Sequence, residues 1–177
     1  MSKKIITIFG TARAKSGDST YNLAYKMGKL LAQADFVIAN GGYGGTMLAA
    51  AKGAAEESGG IIGVTCSAFK ASAANKYVSR EIVTASLDER LDMLIKLGQG
   101  YVVLPGGTGT LLELAKVWEL KNKGFINAGR PVILVGGFWK PLVDLVVTDD
   151  PGCNRYLQQV DEPEQVIRIL TKIFPDV

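Results

Sequence analysis

The segment Pro105-Gly106-Gly107-Thr108-Gly109-Thr110-Leu111-Leu112-Glu113 follows the apolar run YVVL and combines residue types that recognise anions. Its glycines let a backbone approach an oxyanion closely, its threonine hydroxyls add donors, and a helix starting near Thr108 to Thr110 offers unpaired N–H groups and a partial positive charge. This chemistry suits a monophosphate. Two further loops follow apolar runs in the same way, Gly10-Thr11-Ala12-Arg13 and Asn40-Gly41-Gly42-Tyr43-Gly44-Gly45-Thr46. One glycine at a strand-to-helix turn merely permits positive φ, but three glycine-bearing loops at one sheet edge favour close approach to a ligand. The candidate binding residues are therefore Gly106, Gly107, Thr108, Gly109 and Thr110, with Gly10, Thr11, Gly42, Gly44 and Gly45.

Two charged residues carry the remaining chemistry. Glu113 sits one turn into the helix that the phosphate loop would open. Thr110 and Glu113 have the T-x-x-E spacing of a capping box, so the spacing alone favours a backbone cap over an active-site carboxylate. On SLDERLDMLIKL, Ser86 and Glu89 form a second capping box, and Leu87, Leu91, Leu94 and Ile95 make an apolar stripe in which Arg90 lies. A guanidinium in that stripe needs an anionic partner. Asp88, Glu89 or Asp92 would supply an ordinary ion pair, and a ligand-facing role is equally open.

Several chemistries are excluded. The chain has no histidine, which removes Ser-His-Asp and Cys-His catalysis and histidine metal sites. No acidic cluster has metal-ligand spacing. The GxGxxG fingerprint is absent after the first strand and Asn40 replaces the acid that would hold a ribose diol, so the pattern does not fit a dinucleotide. GGTGT also lacks the lysine of a nucleotide triphosphate loop. No lysine stands out as a Schiff-base former for pyridoxal phosphate, and no cofactor is called for. Basic and acidic residues, 20 and 17, alternate without a basic stripe, which argues against nucleic acid or an anionic membrane.

The elements that must hold these loops alternate along the chain. Apolar runs at 5–9, 36–40, 61–65, 101–104 and 131–135 read as buried parallel strands, with 80–85 as an additional one. Helical patterns lie between them at about 19–34, 45–58, 87–97, 109–121, 139–147 and 162–173. This order predicts an α/β fold, a Rossmann-like doubly wound parallel sheet in a three-layer α/β/α sandwich. The 177 residues, with no linker or repeat, read as one domain over 1–177. MSKKIITIFG reads as a first strand rather than a leader, no apolar run is long enough for a membrane span, and the widely separated Cys66 and Cys153 suggest reduced thiols in a cytoplasmic protein.

PGGTGTLLE at 105–113 resembles the PGGxGTxxE signature of the LOG (Lonely Guy) family of cytokinin riboside 5′-monophosphate phosphoribohydrolases, often labelled lysine decarboxylases. NGGYGGTM at 40–47, FGTARAKSGDSTY at 9–21 and GFWKPLVDLV at 137–146 resemble other family segments in order. LDERLDML at 87–94 takes the place of the motif around the family's arginine, with Leu91 where a lysine usually follows. The resemblance implies a homodimer that hydrolyses the N-glycosidic bond of a nucleoside 5′-monophosphate to free base and ribose 5-phosphate. Arg90 and Glu113 match the family's catalytic pair. Molybdenum cofactor carrier proteins share the architecture, so a carrier of a phosphate-bearing pterin is the alternative the same resemblance implies.

Overall fold

The computed structural model describes residues 3–69 and 73–175. Among these residues seven strands, β1 (Ile5–Phe9), β2 (Val37–Asn40), β3 (Ile61–Cys66), β4 (Arg80–Thr84), β5 (Gly100–Val103), β6 (Val132–Val135) and β7 (Leu157–Val160), form one sheet in the order β4-β3-β2-β1-β5-β6-β7. Every pairing is parallel, with Ile6 opposite Ile38 on one side of β1 and opposite Gly100 on the other. Parallel strands need crossovers, and the helices provide them: α1 (Ser19–Gln33), α2 (Thr46–Glu56), α3 (Leu87–Leu97), α4 (Thr108–Asn122), α5 (Lys140–Val147) and α6 (Pro163–Ile173). The expected doubly wound three-layer fold is present.

Alternation along the strands divides the core. Ile6 and Ile8, Val102 and Leu104, and Ile133 and Val135 pack with α1, α2 and α6. Phe9, Tyr101, Val103, Val132 and Leu134 face the other way, toward α3 and α4. Burial of both faces explains why the central strands read as continuous apolar runs. The same exposure logic explains β7, which the apolar pattern does not reveal. It is an edge strand, LQQV, whose Gln158 and Gln159 are exposed, and only one neighbour orders it. A 3₁₀ turn, Cys153–Tyr156, leads into it. Both cysteines are buried free thiols. Among the described residues no helix is long and apolar enough to cross a membrane.

The order of strands reverses direction between β1 and β5, since the chain winds outward from β1 through β2 and β3 to β4 and then returns to add β5 on β1's other side. A crevice opens at such a switch point beyond the carboxyl ends of the two strands. The loops there are residues 10–18 after β1 and 104–107 after β5.

On the opposite layer, α1 and α2 meet backbone to backbone. A Cβ on Gly28 would overlap the carbonyl of Ala50, and one on Gly53 would overlap the carbonyl of Tyr25. Both glycines sit inside helices, where their conformational cost must be offset by this close packing. Gly53→Ala should therefore lower stability by about 1–3 kcal/mol despite alanine's better helix propensity. Chemical denaturation of the two proteins measures the difference, and a stabilised variant would refute the packing argument.

Candidate functional site

The crevice at the switch point is a cavity of about 670 Å³. Gly10, Thr11, Ala12 and Arg13 from one loop and Gly107, Thr108, Gly109 and Thr110 from another line it, and Arg90, Glu113, Tyr43, Met47 and Phe69 complete the lining. The fold thus brings the first and third glycine-bearing loops together with both charged residues. The second loop behaves differently. Gly42 and Gly45 hold φ of +77° and +63°, and a Cβ on Gly45 would overlap the Thr11 carbonyl. Thr46 N–H and Oγ1 both donate to that carbonyl, at 2.9 and 3.0 Å. The loop is packed against its neighbour, and Gly42, Gly44 and Gly45 do not line the cavity. Gly106 is also off its wall, tucked against the Thr110 side chain.

Helix α4 begins at Thr108 with Gly107 as its N-cap and no side-chain cap bond. The first backbone bond of the helix is donated by Leu111 to Gly107 O, at 2.9 Å. Helix geometry therefore leaves the N–H groups of Thr108, Gly109 and Thr110 available at the cavity wall. Threonine hydroxyl and amide donors, together with the positive end of the helix, make this wall suited to an oxyanion.

The capping reading of Glu113 is overturned. Thr110 is the third residue of α4, not its cap, because the helix starts three residues earlier than the T-x-x-E spacing requires. Position 113 then falls on the second turn, too far along to reach an N-cap amide. Its Oε1 lies instead 3.9 Å from Arg90 Nη1, and both side chains are largely buried. Burial pushes the Glu113 carboxyl up from 4.5 to about 7, and Arg90 opposes that rise. The sequence neighbours Asp88, Glu89 and Asp92 do not pair with Arg90; Asp92 pairs with Lys116 at 2.6 Å. The second capping box is formed in modified form. Ser86 Oγ accepts from Glu89 N–H at 3.2 Å, while Glu89 reaches back to the Ala85 N–H at 2.9 Å, one residue before the cap.

Arg90 is held by its Nε, which donates to Val64 O at 2.8 Å. Leu91, at the position of the resembling family's lysine, is buried in the core with Phe9 and Tyr101 and does not line the cavity. Sequence reasoning passed over Arg13, Tyr43, Met47 and Phe69 as cavity-lining residues. Tyr43 had one available signal, being the only side chain larger than threonine's inside a run of glycines. Phe69 and Asn75 lie in the connection from β3 to β4, which carries no legible motif.

A scan against family models matches residues 3–167 to the SLOG cluster4 family. The chain belongs to the SLOG cluster4 family. This SLOG protein is 28% identical over 148 residues to the cytokinin riboside 5′-monophosphate phosphoribohydrolase of Rhodococcoides fascians, covering 81% of this chain and 74% of that protein. It is 26% identical over 174 residues to the pyrimidine/purine nucleotide 5′-monophosphate nucleosidase of Escherichia coli K12, where 89% of this chain spans 38% of the longer enzyme. Among solved structures it resembles the molybdenum cofactor binding protein of Rippkaea orientalis, with 26% identity, a TM-score of 0.81 and coverage of 98% and 99% of the two chains.

The raised carboxyl has a thermodynamic consequence. The folded chain binds a proton at Glu113 more tightly than the unfolded chain does, so the stabilising contribution is full below about pH 4.5 and is lost as pH rises through about 7. At pH 8 the ionised Glu113 burdens the fold by at most about 3 kcal/mol. Glu113→Gln should accordingly be more stable than wild type at pH 8, with the gap closing toward pH 4. Denaturation curves at both pH values test this, and a pH-independent gap would show that the carboxyl is not held neutral by burial.

Proposed function

We propose that this SLOG protein hydrolyses the N-glycosidic bond of a nucleoside 5′-monophosphate, of the AMP or cytokinin riboside monophosphate type, to free base and ribose 5-phosphate. The observation that carries the reading is the placement of Glu113 on the same helix as the free amides. From Thr108 to Glu113 is five residues, a rise of about 7–8 Å along α4. That span resembles the distance from a 5′-phosphate across a ribose to its anomeric carbon.

With the phosphate on the Thr108, Gly109 and Thr110 amides and on Thr11, the sugar would lie over Glu113. Cleavage of the C1′–N bond builds positive charge on the sugar, and an ionised carboxylate stabilises such an oxocarbenium-like state. A carboxyl group near pH 7 is ionised in about half the molecules at neutrality, so it also accepts a proton from the attacking water effectively. The water oxygen joins C1′ and the base leaves with the bonding pair and a proton. Arg90 fixes the carboxylate and balances its charge in the buried site. Names of related proteins support this reaction class.

A second reading is favoured by one observation. The likeness to a molybdenum cofactor binding protein extends over nearly the whole of both chains. In that reading the same cavity holds a phosphate-bearing pterin without turnover. The two separate in an assay of adenine released from AMP. Hydrolysis by wild type, reduced by about 10²-fold or more in Glu113→Gln, supports the enzyme. No release by either protein from several nucleotides, with binding retained, supports the carrier.

The proposal includes a homodimer in the cytoplasm. Helix α5, KPLVDLVV, has no buried residue although six of its eight side chains are Leu, Val or Pro. Leu142 and Val146 line an apolar groove of about 220 Å³ with Leu111, Leu114 and Trp118 of α4. Leu112 and Leu145 are exposed alongside it. A second copy of the chain would cover this surface, and α4 would then link the interface to the Glu113 face. Light scattering of Leu145→Glu should show a monomer where wild type shows a dimer; a wild-type monomer would remove the proposal.

A further inference from the structure

Arg90 is more than nine-tenths buried, yet Nε to Val64 O is the sole hydrogen bond of its side chain among the described residues. The Glu113 carboxylate, at 3.9 Å, lies beyond hydrogen-bond range. A guanidinium in that position has given up most of its hydration, and its single hydrogen bond compensates that loss only in part. Two aromatic rings stand against it. Arg90 Cζ is 5.5 Å from the Tyr43 ring centroid and 5.7 Å from that of Phe69, and the rings themselves are 6.0 Å apart and tilted by 42°.

The Tyr43 ring is anchored through its hydroxyl and its backbone. The Tyr43 hydroxyl accepts from Cys66 N–H at 2.8 Å and faces Cys66 O at 3.3 Å. Asn75 Nδ2 donates to the carbonyls of Gly42 and Tyr43, at 3.0 and 2.9 Å, and its backbone N–H donates to Gly42 O at 2.7 Å. Gly41 completes the enclosure, since a Cβ there would overlap Arg90 Nη2.

We propose that Tyr43 and Phe69 are positioning residues whose ring faces hold the Arg90 guanidinium, leaving its terminal N–H groups free for Glu113 and the bound ligand. The inference rests on the reading of the Arg90–Glu113 site given under Proposed function. A cation over two desolvated ring faces gains an orientation that one Nε bond leaves free, because rotation about that bond would carry the terminal nitrogens away from Glu113. Phe69 and Asn75 thereby become part of the site, although neither residue need touch the reacting bond.

The test uses the full ¹⁵N-labelled chain and arginine side-chain NMR, with Arg90→Lys identifying the Arg90 Nε–H signal. In wild type this signal should be displaced upfield by ring currents and exchange slowly. In Phe69→Leu it should move toward the other arginines and exchange roughly tenfold faster, and Phe69→Tyr should restore it. Gly41→Ala leaves both rings intact but displaces the guanidinium, so it should produce the same loss. Nucleotide hydrolysis adds a second readout: kcat falls about tenfold in Phe69→Leu with KM changed less than about threefold. An Arg90 signal unchanged in both Phe69→Leu and Gly41→Ala would overturn the proposal, whatever happens to turnover. A signal that moves as expected in a protein that hydrolyses no nucleotide leaves the positioning role standing and removes the hydrolase reading instead.

Discussion

The Glu113 carboxyl, which makes no hydrogen bond among the described residues and faces the largely buried Arg90 guanidinium at 3.9 Å, is the constraint around which the cavity is arranged. Neither group would be stable there alone, because each has lost water. The pair is tolerable because Arg90 has a carbonyl and two ring faces, and because Glu113 responds to burial by titrating near pH 7. Structural stability offers no reason to keep an ion pair so loosely coupled, since an apolar pair would fill the space at lower cost. Perturbed groups in clefts cluster at functional sites, and this one also lies behind a row of free helix amides.

The topology explains how those features meet. The strand order reverses at β1 and β5, so the loops that follow these strands part and leave a crevice. The first loop then supplies Thr11 and Arg13, and the other supplies the start of α4. Packing of both sheet faces holds the two strands rigid, with Phe9 stacked near Tyr101 at 6.2 Å. A site so supported keeps its amides oriented before a ligand arrives, which is the condition for electrostatic stabilisation of a transition state.

Most of the fold was legible in the sequence because buried parallel strands are apolar without interruption, and the helices between them carry apolar faces at helical spacing. The exceptions have physical reasons. β7 is a short edge strand with two exposed glutamines, so its pattern resembles a loop. The position of Glu113 was legible, but its local role was not: T-x-x-E matches a capping box, and only the start of α4 at Thr108 shows that the carboxylate lies too far along the helix. Arg90 was legible as an anomaly in an apolar stripe. Spacing did not name its partner, because Glu113 is distant in sequence and only β5 and the crossover into α4 bring it near; the family resemblance alone paired the two. The glycines of the second loop read as ligand contacts, yet Gly42 and Gly45 serve a positive φ and close loop packing. Tyr43 and Phe69 escaped notice because single aromatics in irregular segments have no periodicity to betray their direction.

The central claim is that the amides opening α4 receive a phosphate while Glu113 faces the sugar. Crystals of the Glu113→Gln variant soaked with adenosine 5′-monophosphate test it most directly. The expected density places phosphate oxygens within hydrogen-bond distance of the Thr108, Gly109 and Thr110 amides and the anomeric carbon opposite residue 113. A nucleotide bound elsewhere on the molecule, with this cavity holding none, would contradict the claim.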